Sequence, residues 1–215
     1  MNTNHSPSTN FFFETLSING RFLYIPIALR GHKYYATAHL WMKGLTELHK
    51  RGDLQFENVD DPADSKFNDL KSFEGVYIGG GNTWSLMDEL RSSGLSDTLL
   101  QYIKDGGVLY GGSAGAIIFG KRIDTSTDEN KVEYKEMTGF NILGGYSIGC
   151  HFKEDQSDHY QDWAVKNKLP VICLPEETGL IIKNNIALCV GTKPCVIYSV
   201  DNTRKDVGPG ESFSL

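Results

Sequence analysis

Residues Gly111-Gly112-Ser113-Ala114-Gly115 stand between an apolar, strand-like run, Gly107-Val108-Leu109-Tyr110, and a helix-compatible run, Ala116-Ile117-Ile118-Phe119. A G-x-S-x-G pentapeptide in that setting demands a sharp turn from strand to helix, with small residues on both sides of the serine. Such a turn lifts the Ser113 hydroxyl clear of the backbone. It leaves the amide of Ala114 at a helix N-terminus, where it can donate to an oxyanion. The same five residues would also make a plain glycine-rich turn with a helix-capping serine. The surroundings of the motif therefore have to decide.

Those surroundings alternate between strand and helix. Residues 21–29 read as a strand, and 34–50 carry helical periodicity with Ala38, Met42, Leu45 and Leu48 near one face. A short strand over 53–59, a helix candidate over 63–70 and an apolar strand over 75–78 follow. Helical patterns cover 83–91 and 96–104, and the strand at 108–110 feeds the turn. This order predicts an α/β fold, a mostly parallel sheet with helices on both faces. The unbroken apolar run over 23–29 fits a strand buried on both sides. The last third reads as short strands over 171–174, 180–182, 186–190 and 196–200, with turns at 183–185 and 208–210. These predict C-terminal β-hairpins appended to the sheet rather than a second domain. A single domain over 1–215 is expected, with 1–10 as a mobile, polar tail that lacks the pattern of a secretory signal.

Composition narrows the function classes. A net charge of -6 argues against a general attraction to nucleic acid. The absence of an 18-residue apolar run argues against a membrane span. Of the four cysteines, Cys173, Cys189 and Cys195 lie in apolar runs and read as buried reduced thiols of a cytoplasmic protein. Cys150 beside His151 could bind a metal or act as a nucleophile, but no cluster of Cys and His ligands accompanies it. No metal or cofactor is expected. Tyr34, Tyr35 and Trp41 either pack in the core or mark a contact surface that would allow a homodimer.

A second glycine-rich turn, Gly79-Gly80-Gly81-Asn82, follows the strand over 75–78 and opens the helix near Thr83. In a parallel sheet both turns fall at the C-terminal edge, where ligands bind. An amide of Gly80 or Gly81 could then join that of Ala114 as an oxyanion hole. The turn has neither G-x-x-x-x-G-K-[ST] nor G-x-G-x-x-G spacing, so a phosphate loop is the weaker reading. A serine needs a base. His5 lies in the tail, His39 and His49 read as surface residues of a helix, His32 sits in a loop and His159 opens a helix. His151 ends the apolar segment 145–150, a strand end, and is the better candidate. For the carboxylate that orients the imidazole two residues stay open: Glu176, after the strand over 171–174, and Asp128, in the polar loop 124–130.

Taken in order, Val76-Tyr77-Ile78-Gly79-Gly80-Gly81-Asn82-Thr83, Gly112-Ser113-Ala114-Gly115-Ala116, Cys150-His151-Phe152 and Leu174-Pro175-Glu176 resemble the aspartyl dipeptidase (peptidase E) family, to which cyanophycinases are related. The resemblance spans about residues 20–200. It implies a class I glutamine amidotransferase-like, flavodoxin-like fold and a serine peptidase acting on short peptides. It implies Ser113 as nucleophile and His151 as base, with Glu176 or Asp128 as third member. The Gly81 and Ala114 amides would form the oxyanion hole, with Asn82 shaping the pocket. Two departures bear on specificity: Gly112 stands where aspartyl dipeptidases carry Trp, and no arginine occurs between Arg122 and Arg204. Lys153, Lys166 and Lys168 are the nearby cations, and lysine lacks the bidentate fork of arginine. N-terminal aspartyl specificity is therefore not implied. An esterase or amidase on a non-peptide substrate, or a binding protein on the same scaffold, are the alternatives.

Overall fold

The computed structural model describes residues 7–215, and the expectation for the first six residues lies outside it. The described chain falls into two compact units, Asn10–Gly115 with Asp128–Lys135, and residues 7–9 with Ala116–Thr127 and Glu136–Leu215.

The first unit is built on a four-stranded parallel sheet. Its strands are β1 (Arg21–Ile25), β2 (Gln55–Asn58), β3 (Gly75–Ile78) and β4 (Val108–Gly111), in the order β2-β1-β3-β4. In register, Tyr24 faces Asn58 and Tyr77, and Ile78 faces Gly111. The order reverses between β1 and β3, and the C-terminal ends of such a pair frame the ligand crevice of open α/β sheets. The helices are α1 (Pro7–Thr15), which joins this unit from Asn10 onward, α2 (Ala38–Leu48), α3 (Thr83–Ser92) and α4 (Leu95–Lys104). Phe22, Tyr24 and Tyr77 point from one sheet face into a core with Phe12, Phe13, Met42 and Leu45. The alternate residues Leu23, Ile25, Val76 and Ile78 are fully buried too, so both faces are covered, as the apolar strands predict.

Several local expectations shift for identifiable reasons. The strand over 21–29 stops at Ile25, because Pro26 turns the chain into a 3-10 turn over Ile27–Leu29. The helix expected over 63–70 is a single 3-10 turn, Ser65–Phe67. There the carboxylates of Asp61, Asp64 and Asp69 each accept from the amide two residues on, which favours turns over helix. The tail expected to reach residue 10 is helical from Pro7, because Phe12, Phe13 and Leu16 are buried. His49 is not a plain surface residue: its ring lies 5.5 Å from that of Phe13, and its Nδ1 is 3.1 Å from Asn10 Oδ1. Of the aromatic trio, Trp41 packs on Tyr24 and Tyr77, Tyr35 is half-buried and Tyr34 is exposed.

The four-residue helix α5 (Ala114–Ile117) carries the chain into the second unit. There β5 (Ser147–Cys150) and β6 (Val171–Leu174) pair in parallel. Strand β9 (Cys195–Tyr198) runs antiparallel to β6, and β10 (Arg204–Val207) antiparallel to β9. Helix α6 (Ser157–Asn167) buries Tyr160, Trp163 and Ala164 in a core with Phe152, Cys173 and Tyr198. The expected hairpin forms from β7 (Thr178–Lys183) and β8 (Ile186–Gly191), with Asn184 and Asn185 both at positive φ in its turn. A third strand, β11 (Ser212–Ser214), pairs with β8. Cys173, Cys189 and Cys195 are buried free thiols, and burial pushes the Cys173 thiol well above its ordinary range.

Candidate active site

In the first unit, β3 and β4 are neighbours, so the turns that follow them emerge side by side. The Gly112 amide donates to Ile78 O at 3.0 Å, which pins the start of the second turn to the end of the first strand. Ser113 then takes φ 49°, in the left-handed region that L-residues seldom adopt. That is the strained strand-to-helix bend the motif demands. Gly115 is required because a β-carbon there would fall 2.4 Å from Ile78 O. A β-carbon at Gly80 would come within 3.1 Å of the Ser113 β-carbon and 3.8 Å of its Oγ. The glycine-rich turn thus lies against the candidate nucleophile. Gly81 holds φ 143°, and a β-carbon there would strike Ala28 O at 2.1 Å, so no other residue fits. Ala114, at the start of α5, is fully buried.

Asn82 works from both ends of its side chain. Its Oδ1 accepts from the Ser85 amide at 2.9 Å as the N-cap of α3. Its Nδ2 donates to Glu129 O at 2.8 Å. Asp128 is equally engaged. Its Oδ2 accepts from the Thr83 amide at 2.8 Å and from the Thr83 hydroxyl at 2.7 Å, and its carbonyl accepts from Trp84 Nε1 at 3.0 Å. Asp128 is therefore a clamp on the first residues of α3. Thr83 and Trp84, its partners, escaped the sequence reading. A signal existed, since Asn82 is a capping residue that leaves the amides after it seeking acceptors.

In the second unit, β5 and β6 place Cys150 opposite Leu174. His151 follows the end of β5 directly, and Glu176 follows the end of β6 after Pro175. His151 Nδ1 lies 2.6 Å from Glu176 Oε1, and both side chains are open to solvent, 60% and 58% exposed. His151 holds φ 58°. The next residue, Phe152, is buried with its ring 5.9 Å from Tyr160 and 6.2 Å from Tyr198, and its amide donates to Leu174 O at 3.1 Å. A packed aromatic immediately after it thus fixes the histidine backbone. Of the two carboxylates left open by the sequence, Glu176 lies within hydrogen-bond distance of the His151 ring.

A family model described as peptidase family S51 matches residues 3–190. The chain belongs to peptidase family S51. With membership comes the chemistry of a serine peptidase acting on peptides. Among curated relatives, a "Probable alpha-aspartyl dipeptidase" of Drosophila melanogaster is 25% identical over 202 residues, covering 87% of this chain and 79% of its own length. Peptidase E of Shewanella denitrificans is 25% identical over 213 residues, covering 94% and 88%. Among solved structures, a peptidase from an acI-B1 Actinobacterium superposes with a TM-score of 0.74 at 21% identity, covering 100% of this chain and 93% of that one. The S51 fold is thereby confirmed as a parallel sheet flanked by helices, with C-terminal strands. No helix among the described residues is long and apolar enough to cross a membrane.

Proposed function

We propose that this S51 chain hydrolyses short peptides through an acyl-enzyme on Ser113, with His151 as general base and Glu176 as the carboxylate that orients it. The His151–Glu176 bond carries the assignment. With Nδ1 turned to the carboxylate, Nε2 is the nitrogen left to accept the Ser113 proton, and Glu176 stabilises the imidazolium that results. The alkoxide attacks the scissile carbonyl, whose oxygen develops negative charge against the Gly81 and Ala114 amides; Gly80 and Asn82 shape that turn. Each such donor is worth about 10²–10³ in turnover. The imidazolium passes its proton to the departing amine, which breaks the peptide bond and leaves Ser113 acylated. Water then attacks the acyl carbon, with His151 again taking the proton; the acyl–Oγ bond breaks, the imidazolium returns that proton to Ser113, and the acid leaves. Asp128 serves as an anchor, not as a member of this triad.

The substrate class is broader than peptides with N-terminal aspartate. The arginines that flank the histidine segment are both committed to carboxylates. Arg122 pairs bidentately with Asp124 at 2.9 and 2.6 Å, and Arg204 pairs with Asp206 at 2.8 Å and with Glu154. Neither fork is left to receive a substrate carboxylate. Three buried free thiols support a cytoplasmic setting.

Replacing Ser113 with Ala tests the reading. Hydrolysis of a dipeptide panel should fall at least about 10³-fold, and labelling by a fluorophosphonate should vanish, while the circular dichroism spectrum is retained. Undiminished hydrolysis by the variant would refute the proposal. Wild-type hydrolysis of simple esters but of no peptide would move the chemistry to a non-peptide acyl substrate.

A further inference from the structure

Glu176 meets His151 from an exposed position, so packing against other side chains does little to fix its direction. Its place has to come from the backbone that carries it. Residues Pro175-Glu176-Glu177-Thr178 form a tight turn between β6 and β7, closed by the Thr178 amide, which donates to Pro175 O at 3.2 Å. Pro175 restricts the start of the turn, since its ring locks φ. The turn then passes through Glu177 at φ 64°, in the left-handed region that a glutamate seldom adopts. Such an angle persists only where neighbouring groups impose it.

Those groups lie on residues 191–193, at the end of β8 and just beyond it. Gly191 stands opposite Thr178 in the β7–β8 ladder at φ 123°, and a β-carbon there would run into the Glu177 carbonyl oxygen. The Thr192 amide donates to that same oxygen at 3.1 Å, and the Thr192 hydroxyl donates to Glu177 Oε2 at 3.2 Å. The Thr178 hydroxyl donates to Lys193 O at 3.0 Å, and the Cys189 thiol donates to that carbonyl at 3.9 Å from within β8. One threonine therefore holds the residue next to Glu176 by both its backbone and its side chain. A shift of the turn by about 1 Å away from the ring would take Glu176 Oε1, now 2.6 Å from His151 Nδ1, beyond hydrogen-bond length. We infer that Gly191 and Thr192 are positioning residues of the hydrolytic reaction: they mould the backbone at Glu177 so that Glu176 reaches the base. This deepens the serine peptidase reading and rests on it.

Two variants loosen the mould. Gly191→Ala pushes on the Glu177 carbonyl, and Thr178→Val with Thr192→Val removes both hydroxyl bonds while keeping the shapes. On a dipeptide, kcat should fall about 10²-fold in the first and about tenfold in the second, with KM changed less than about twofold. Thr178→Ser with Thr192→Ser keeps both donors and should stay within about twofold of wild type. Nitrogen-15 shifts of the neutral His151 ring should place its proton on Nδ1 in wild type and move it toward Nε2 in the loosened variants, because the bond to Glu176 selects the tautomer. Gly191→Ala added to Glu176→Gln should cost less than about a further twofold, since the loop acts through Glu176. Losses that multiply, a loss confined to KM, or a ring that keeps its proton on Nδ1 in the loosened variants overturns the inference. The valine pair and its serine counterpart decide the point if Gly191→Ala does not fold. Failure of the wild type to cleave any peptide would overturn the peptidase reading instead, and the ring tautomer, which needs no turnover, would still decide whether the loop places Glu176.

Discussion

Ser113 and His151 hold backbone angles of 49° and 58°, each just beyond a strand end. A non-glycine residue in the left-handed region costs on the order of 1–3 kcal/mol and persists only where its surroundings dictate it. At Ser113 the dictating contacts are the Gly112–Ile78 bond and the glycines that let α5 pass the β3 backbone. At His151 it is the buried ring of Phe152. A side chain carried on so constrained a backbone has little freedom to seek its partner, so the partner must be placed for it. Glu176→Gln keeps a hydrogen-bonding group beside Nδ1 but removes the charge that offsets the imidazolium, and it can present its amide to the ring. Turnover of that variant should fall by about 10²–10⁴ with KM nearly unchanged, read from steady-state kinetics on a dipeptide. A loss confined to KM would show that Glu176 binds substrate instead of orienting the base. The pentapeptide, the second glycine turn and the two strand-end residues were legible in the sequence because each sits where an apolar run stops. The place of Asp128 was not, since a loop's course depends on which distant amides lack acceptors, and no local pattern records that.

Elements were legible where hydrophobic period and burial agree. The strands over 75–78, 108–110 and 171–174 and the helices α3 and α4 fall within a residue or two of expectation. Misreadings cluster where side chains compete with the backbone, as with the aspartates around 61–69, or where a helix is polar in name but buried in fact, as with α1. That helix is tied down by Arg51, which donates to the carbonyls of Phe13 and Ser17 and pairs with Asp53 at 3.0 and 3.1 Å. The Arg51 bonds, helped by the Asn19 amide, hold the Asp53 carboxyl down to about 2. Since the folded value lies below the ordinary one, near 3.9, the charged form is favoured by folding. Its contribution is fully present above about pH 4 and is lost as the pH falls toward 2. The stability gap between wild type and Asp53→Asn should thus be constant from pH 7 to 4 and close below it, as followed by urea midpoints across that range. A gap that stays open at pH 2 would mean the brace acts by shape rather than charge.

At the scale of the molecule, composition pointed to a globular chain and the alternation of segments to an α/β fold, and the switch to hairpins was readable in the last third, well inside the second unit. The division of the chain into two units was not, because the return of 128–135 to the first unit is a long-range event within one polar loop. The sequence reading of one domain across all 215 residues leads to a prediction of its own: the two units unfold together. The three tryptophans divide conveniently, Trp41 and Trp84 in the first unit and Trp163 in the second, with Trp84 and Trp163 buried. Trp163→Phe leaves fluorescence that reports on the first unit. Trp41→Phe with Trp84→Phe leaves a reporter on the second. In a single cooperative transition each reporter must follow the far-ultraviolet circular dichroism of its own variant, with the same urea midpoint and slope. Comparing signals within one variant removes the effect of the substitutions on stability. A two-step dichroism trace, with each fluorescence signal tracking a different step, would divide the chain into two domains that fold independently.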